Sequence, residues 1–170
     1  PGDKSVSHRA VMLGAIAEGT TEIRNFLLAE DCLHTLQAFQ KLGIRSAFSG
    51  KGRLRIHGKG LRGLRAPDSA IDLGNSGTSM RLLSGILAGQ PFTTILKGDP
   101  SLSQRPMRRI LLPLEEMGAK ITARRNEFPP LIIRGGSLRA IRYRTPIPSA
   151  QVKSAILLAG LYARGKTTVT

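Results

Sequence analysis

The predicted helices and strands of this chain recur in the same order with a period of about seventy residues, a length typical of repeated supersecondary units. The first helix of each unit is predicted to close at a glycine, namely Gly19, Gly89 or Gly165. Second helices are predicted to stop at Gly43 and Gly118. Glycine is favoured just past a helix end because it adopts positive φ without steric cost. Units of this kind must share one core.

Apolar periodicity predicts a β-α-β-α-β-β unit in which the first strand precedes the first helix. Predicted helices, given by residue number, cover 7–18, 30–42, 76–88, 107–117 and 149–162. Predicted strands cover 20–26, 44–49, 53–58, 92–98, 120–125, 131–135 and 166–170. The prediction is therefore an α+β fold with about two and a half units. We divide the chain into repeat one at about 1–62, repeat two at about 69–136 and a partial third repeat at about 137–170.

Charge is the strongest signal in the composition, with a net charge of +15 in 170 residues. Such an excess indicates anionic partners, either nucleic acid or small phosphorylated or carboxylated ligands. Aromatic residues make up 4% and tryptophan is missing, which argues against stacking on single-stranded nucleic acid. The single cysteine, Cys32, fits a reducing, cytoplasmic compartment. We expect no membrane span. The chain begins at Pro1, and we expect it to be a piece of a longer polypeptide.

The first helix of each unit begins with small polar residues, and a cation lies within its next turn. These helix starts comprise Lys4, Ser5 and Arg9; Asn75, Ser76, Gly77, Thr78 and Arg81; and Ser149, Ala150, Gln151 and Lys153. A helix N-terminus presents free N–H groups and the positive end of the dipole. One such start is explained by capping, with Ser5 or Ser7 as the expected cap of the first helix. Three at equivalent places, gathered around a pseudo-threefold axis, predict one concave anion site.

A further candidate is Arg105, which precedes Pro106 in the segment GDPSLSQRPMRR. Proline suits the first position of a helix, so we expect Arg105 at a helix head. A cation there opposes the helix dipole, and a bound anion would offset that penalty. Arg108 and Arg109 are interpreted as surface residues.

Motifs for metal or nucleophilic chemistry are missing from the sequence. His8, His34 and His57 lack the spacing of metal ligands, so we predict no metal site. His8 is interpreted as structural. Cys32, on a predicted helix, is interpreted as structural too, since no neighbour in sequence would activate a thiolate.

The helix starts closely resemble a known family, the 5-enolpyruvylshikimate-3-phosphate synthases. The resemblance is carried by PGDKSVSHRAVMLGAIAEG, LGNSGTSMRLLSGILAG, QRPM and SAQVKSAILLAG, which follow in register along the whole chain. It implies an α/β prism of two lobes, each with three β-α-β-α-β-β units about a pseudo-threefold axis. This chain would be most of one lobe, without the opposite lobe.

The resemblance implies transfer of the enolpyruvyl group of phosphoenolpyruvate to the 5-hydroxyl of shikimate 3-phosphate, with release of phosphate and no cofactor. Lys4 would be catalytic and would touch both substrates. Shikimate 3-phosphate would be held by Lys4, Ser5, Arg9, Ser149, Ala150 and Gln151. Phosphoenolpyruvate would be held by Lys4, Asn75, Gly77, Thr78, Arg105 and Gln151. As one side of a cleft, the chain is expected to be inactive alone.

One position departs from the family pattern, because Ala150 stands where many members carry serine, and one hydroxyl contact is lost. The segments SAQVK and GDKS resemble a subgroup noted for tolerance of glyphosate, a competitor of phosphoenolpyruvate. Gly77 nevertheless keeps room for that inhibitor, so sensitivity to glyphosate stays open.

Two alternatives remain beside the main interpretation. One is a relative that uses a UDP-N-acetylglucosamine acceptor; it employs a loop cysteine, and the loop of Arg105 has none. The other is a basic nucleic-acid-binding module on the same repeat, which would lose affinity steeply with salt. The expected partners are the two small anionic substrates and the second lobe, with no membrane and no specific nucleic acid, and we expect a monomer.

Overall fold

The structure, a computed structural model, describes residues 2–170 and contains five α-helices. In chain order these are α1 (Lys4–Ile16), α2 (Glu30–Lys41), α3 (Gly77–Ala88), α4 (Arg108–Glu116) and α5 (Ala150–Gly160). The first strands are β1 (Glu18–Ile23), β2 (Arg45–Phe48), β3 (Leu54–Lys59), β4 (Ile71–Asp72) and β5 (Thr93–Lys97). The later strands are β6 (Lys120–Arg124), β7 (Phe128–Arg134), β8 (Leu138–Arg139), β9 (Arg142–Tyr143), β10 (Ala163–Arg164) and β11 (Thr168–Val169).

Two sheets share one arrangement, in which the last strand in sequence lies in the middle. The first sheet has the order β1-β3-β2, and the second has the order β4-β5-β7-β6. In β3, Leu54 and Ile56 are buried while Arg55 between them is exposed. A shift of one residue would bury the charge, so the alternation fixes the register Thr21↔Ile56. The third region pairs β8 with β10 and β9 with β11 in parallel, as β4 pairs with β5.

The core is built around α3, which contacts each of the other four helices. Its Met80, Leu83 and Ile86 are fully buried. A β-carbon added at Gly85 would overlap the Ala155 carbonyl oxygen, so glycine lets α3 and α5 pack with their backbones in contact. This contact brings the first turns of the two helices together. The recurring strand and helix order is that of the predicted α+β fold, whereas the residue numbers at which we divided the repeats stay a prediction.

Several predicted boundaries are wrong at helix ends. α1 begins at Lys4 because Asp3, rather than Ser5 or Ser7, is the N-cap: its carboxylate accepts the Val6 N–H at 2.7 Å. Gly19 lies inside β1 and does not close α1. Gly165 follows β10 rather than ending α5. Gly43 and Gly118 do follow helix C-caps, with φ of 86° and 96°.

Within residues 2–170, the structure has no helix that combines the length and the apolar character needed to cross a bilayer. Cys32 lies on α2, where it is buried, and burial raises the pKa of its thiol. The structural interpretation of this cysteine agrees with that placement, because a raised pKa opposes thiolate formation.

Candidate functional site

The starts of α1, α3 and α5 are joined by side-chain hydrogen bonds. Arg9 links α1 to α5, because its Nη1 donates to the Ser5 carbonyl at 3.1 Å and its Nη2 to Ser154 Oγ at 2.9 Å. Gln151 of α5 donates from Nε2 to Thr78 Oγ1 of α3 at 2.9 Å. The three helix N-termini that were predicted to gather at one place therefore adjoin one another in the fold.

At the start of α1, Lys4 and Ser5 are exposed, and the first turn of the helix contains no acidic residue. The Lys4 ammonium forms an ion pair with Asp31 of α2. The Lys4 side chain is still 52% exposed, so the ammonium is held from one side and open to solvent on another. This arrangement leaves the cation able to contact a ligand in front of α1.

The start of α3 offers a backbone approach at Gly77. Ser76 is the N-cap, and its Oγ accepts the Ser79 N–H at 3.2 Å. A β-carbon added at Gly77 would lie 2.8 Å from Arg81 Nη1 and 3.4 Å from Arg105 Nη1. Two guanidinium groups therefore reach the same helix start.

Arg105 does not stand at the head of a helix, so that prediction is wrong. The helix α4 begins at Arg108 with Met107 as N-cap, because the Met107 N–H donates to the Glu127 carbonyl at 2.8 Å. Arg105 instead follows a short 3₁₀ turn, Leu102–Gln104. Its guanidinium donates to the Asn75 carbonyl at 3.3 Å and to Asn75 Oδ1. The cation thus serves the start of α3 rather than that of α4.

Among residues 2–170, no carboxylate pairs with Arg81 or Arg105. In the described part of the chain, the ion pairs within 4.0 Å are Lys4–Asp31, Arg24–Glu22 and Lys97–Asp72. Burial lowers the pKa of Arg81, and the charges of Arg105 and Arg109 lower it further. Two cations held together without a counter-charge favour binding of an anion. Arg108 and Arg109 are exposed, as expected for surface residues.

The start of α5 contributes Ser149, Ala150 and Gln151. Ser149 caps the helix by accepting the Val152 N–H at 3.4 Å. Ala150 is exposed and carries no hydroxyl, so only its backbone N–H is available to a ligand. Gln151 accepts from Arg81 Nη1 at 3.0 Å through Oε1.

A buried chain of hydrogen bonds connects α1 to α3 beneath the site. His8 Nδ1 lies 2.7 Å from Thr35 Oγ1, which lies 2.6 Å from Ser79 Oγ. Ser79 Oγ lies 2.5 Å from Oγ of Ser76, the α3 cap. Burial lowers the pKa of His8 to about 4, so its imidazole is neutral at pH 7. These contacts agree with a structural role for His8.

Two residues at the site were missed as candidates from the sequence. Asp31, the partner of Lys4, is distant from it in sequence and gives no local signal. Ser154 lies one turn beyond Ala150 on the same face of α5, which the helical period could have indicated. Arg81 was predicted as the cation of the second helix start, without assignment to either substrate. Within residues 2–170 there is no group of three or more His, Cys, Asp or Glu side chains placed to hold a metal ion.

Comparison with known proteins gives a consistent result. Residues 1–170 match the family model described as EPSP synthase (3-phosphoshikimate 1-carboxyvinyltransferase). The 3-phosphoshikimate 1-carboxyvinyltransferase of Methylococcus capsulatus is 61% identical over 171 residues, covering 100% of this chain and 39% of that protein. The 3-phosphoshikimate 1-carboxyvinyltransferase of Alkalilimnicola ehrlichii is 59% identical over 171 residues, which cover 100% of this chain and 38% of that protein.

A solved structure leads to the same conclusion about the fold. The EPSP synthase from Acinetobacter baumannii superposes with a TM-score of 0.97 at 56% identity, over 100% of this chain and 39% of that chain. The chain therefore spans less than half the length of the relatives that it matches.

Proposed function

Because the chain belongs to the EPSP synthase family, we propose that it forms one side of an active site for enolpyruvyl transfer. The substrates would be phosphoenolpyruvate and shikimate 3-phosphate, and phosphate would be released. One observation carries the proposal: Arg81 and Arg105, without carboxylate partners, reach the start of α3 where it adjoins the starts of α1 and α5. Two phosphorylated carboxylates supply the anions that such a site would bind.

The shikimate 3-phosphate subsite would lie between α1 and α5. It would use Lys4, Ser5, Arg9, Ser149, Ala150 and Gln151. The bond between Arg9 and Ser154 supports this subsite, because it fixes the α1 guanidinium against α5. Ser149 would hold the phosphate at the N-terminus of α5, where the helix dipole favours negative charge.

The phosphoenolpyruvate subsite would lie at the start of α3. It would use Lys4, Asn75, Gly77, Thr78, Arg105 and Gln151. The close approach of Arg105 to Gly77 supports this subsite, because the guanidinium and the backbone N–H groups can meet the same anion. Gln151 would touch both substrates from α5.

Lys4 would be the catalytic residue of this chain. The reaction would break the O–H bond of the 5-hydroxyl and the C=C π bond of phosphoenolpyruvate: the oxygen bonds to the carbon that bears the phosphate, and the methylene carbon gains a proton. Elimination from this tetrahedral intermediate would break the C–O bond to phosphate while a base removes a proton from the new methyl group. An ammonium group beside the departing phosphate would stabilise the negative charge that develops on its oxygen. Its ion pair with Asp31 supports this role, because a held side chain has less rotamer freedom to lose at the transition state.

We propose further that the remainder of the cleft comes from segments that the relatives carry outside the matched region. A site open on one side does not exclude water, so we expect weak binding and no turnover from these 170 residues alone. The protein would act as a monomer in the cytoplasm, on small polar metabolites.

The proposal is tested by titrating the isotope-labelled chain with shikimate 3-phosphate and recording NMR spectra. The amide resonances of Ser5, Arg9, Ser149 and Gln151 should shift, with only modest dependence on salt. Duplex DNA is the comparator, because a phosphate-backbone binder loses affinity steeply with salt. Shifts with duplex DNA and none with shikimate 3-phosphate would contradict the proposal.

Turnover is tested in a chimera in which residues 1–170 replace the matched segment of the Methylococcus capsulatus relative. The chimera should release phosphate when both substrates are present, and the 170-residue chain should not. A folded chimera without activity would count against the assignment of this chain to the shikimate 3-phosphate reaction.

A further inference from the structure

Asp99 lies behind the start of α3, in the loop between β5 and the 3₁₀ turn Leu102–Gln104. Its Oδ1 accepts the Leu102 N–H at 2.6 Å, and its Oδ2 accepts Asn75 Nδ2 at 2.7 Å. On the far side of Asn75, Oδ1 accepts from Arg105 Nη2. The neutral Asn75 amide therefore lies between the Asp99 carboxylate and the Arg105 guanidinium.

The direction of these hydrogen bonds is fixed by chemistry. An ionised carboxylate only accepts and a guanidinium only donates, so the Asn75 amide must turn Nδ2 to Asp99 and Oδ1 to Arg105. The opposite amide orientation would set donor against donor and acceptor against acceptor. The hydrogen bonds from Leu102 and Asn75 lower the pKa of the Asp99 carboxyl, and the Arg105 charge adds to this. Asp99 is thus an acceptor at neutral pH.

Because the Asn75 amide separates Asp99 from Arg105, the Asp99 carboxylate does not neutralise the guanidinium charge. A carboxylate in direct contact would pair with both arms of the guanidinium and offset its charge. Within residues 2–170, Asp99 forms no ion pair closer than 4.0 Å. The neutral Asn75 amide instead orients the guanidinium and does not neutralise its charge. The second arm, Nη1, donates to the Asn75 carbonyl at 3.3 Å.

We propose that Asp99 is a positioning residue, which locks the Asn75 amide and so aims the unpaired Arg105 guanidinium at phosphoenolpyruvate. This inference rests on the proposed function and adds to it a residue outside the substrate contacts. It predicts that a change at Asp99 affects phosphoenolpyruvate and spares shikimate 3-phosphate, whose subsite lies between α1 and α5.

The test is Asp99→Asn, which keeps the size of the side chain. An asparagine offers one carbonyl oxygen, whereas Leu102 and Asn75 both need an acceptor, so one bond must be lost. We expect the dissociation constant for phosphoenolpyruvate to rise about tenfold, the usual effect of losing a charged hydrogen bond. The constant for shikimate 3-phosphate should stay unchanged. Both are measured by NMR titration of the chain.

Asp72→Asn is the matched control. Asp72 also accepts a backbone N–H, that of Gly74 at 3.0 Å, and it pairs with Lys97 at 3.3 Å. Hydrogen bonding likewise lowers the pKa of its carboxyl. Within residues 2–170 it forms no hydrogen bond or ion pair with Asn75 or Arg105, so the control variant should bind both substrates normally.

A spectroscopic readout separates positioning from a structural role. The Asn75 side-chain amide resonances should move in Asp99→Asn and stay in place in Asp72→Asn. Asp99→Glu, which restores both acceptor oxygens, should recover part of the lost affinity. It also serves as the second variant if Asp99→Asn unfolds.

Equal phosphoenolpyruvate affinity in Asp99→Asn and Asp72→Asn would overturn the inference and leave the proposed function standing. Equal weakening of both substrates would overturn it too, by showing a general structural effect. If the unchanged chain binds shikimate 3-phosphate and not phosphoenolpyruvate at any concentration, the proposed subsite at α3 fails, and this inference fails with it.

Discussion

Arg81 Nη1 donates to Gln151 Oε1 at 3.0 Å, a bond that joins the start of α3 to the start of α5. The same amide donates through Nε2 to Thr78 Oγ1 at 2.9 Å. Gln151 therefore orients Arg81 in the way that Asn75 orients Arg105. In both pairs the guanidinium donates to a neutral amide oxygen instead of a carboxylate. Both guanidinium groups keep their charge available at one place, which is what binding of an external anion requires.

Gln151→Glu should weaken binding of both substrates about tenfold, because the new carboxylate would pair with Arg81 and repel the anions. Thermal stability should be equal or higher, since Arg81 gains a partner. Gln151→Met removes the hydrogen bonds without adding charge, so it should weaken binding less. NMR titration and thermal unfolding measure both effects, and unchanged binding in Gln151→Glu would contradict the amide role.

Gly77→Ala should weaken phosphoenolpyruvate binding about tenfold and leave shikimate 3-phosphate binding unchanged. The added methyl would lie 2.8 Å from Arg81 Nη1, so the guanidinium ends must move to make room. Stability should rise by about 0.5 kcal/mol, since alanine restricts the unfolded chain. Gly136→Ala is the control, because a β-carbon there would meet no atom within 4 Å in the described part of the chain. Equal phosphoenolpyruvate affinities in the two variants would refute this account.

Lys4→Met should lower the turnover of the chimera about a hundredfold or more, the usual cost of removing a group that stabilises charge in a transition state. The ammonium is held by Asp31 and half exposed, so the change should not unfold the protein. Lys51→Met is the matched control, because Lys51 is exposed in the turn between β2 and β3. A steady-state assay of phosphate release measures the turnover, and near-normal kcat in Lys4→Met would remove its catalytic assignment.

The sequence predicted the helices well where periodicity and end signals agreed, as at α2, which stops before Gly43. It failed where a nearby strand or loop decided the boundary. Gly19 lies in β1 because that segment pairs with β3, and Pro106 stays outside α4 because Met107 bonds to Glu127. Neither pairing has a local signal, since both depend on contacts between segments distant in sequence.

In the candidate site too, features with a local sequence signal could be predicted, whereas contacts between distant segments could not. The helix starts could be found from the sequence because capping residues and cations lie within one turn of each other. Asp31 could not, because it reaches Lys4 only through packing of α2 on α1. For Ser154 the helical period could have indicated the face of α5, whereas its contact with Arg9 depends on packing of α5 on α1. The position of Arg105 was predicted wrongly for the same reason, because the residue that its guanidinium contacts, Asn75, lies on another loop.

Thr35→Val should lower the free energy of unfolding by about 1–3 kcal/mol, because it leaves the buried His8 Nδ1 without its partner and removes one of the two hydroxyl contacts of Ser79. Thr94→Val is the matched control. Thr94 is also buried, but its Oγ1 has no hydrogen-bond partner among the described residues 2–170, so its replacement should be neutral or stabilising. Urea unfolding measures both variants, and equal losses in the two would show that the hydrogen-bond chain adds no stability.

Stability should fall as the pH drops from about 6.5 to about 4, because of His8. Burial lowers the pKa of His8 from 6.5 to about 4, so in this range the unfolded chain binds a proton that the folded chain does not. The free energy of unfolding therefore rises with pH across the window and levels off above it, with a span of about 3 kcal/mol.

The Asp72 and Asp99 carboxyls have pKa values lowered from 3.8, so they titrate below this window and do not mask it. Asp31, Lys4 and Arg9 are the charged groups that act on His8, and their opposing effects leave burial as the main cause. His8→Gln is the control, because glutamine can still bond to Thr35 and does not titrate. Urea unfolding at pH 7 and pH 4.5 should differ much more for the unchanged chain than for His8→Gln. Equal pH dependence in the two would mean that His8 is accessible to protons in the fold.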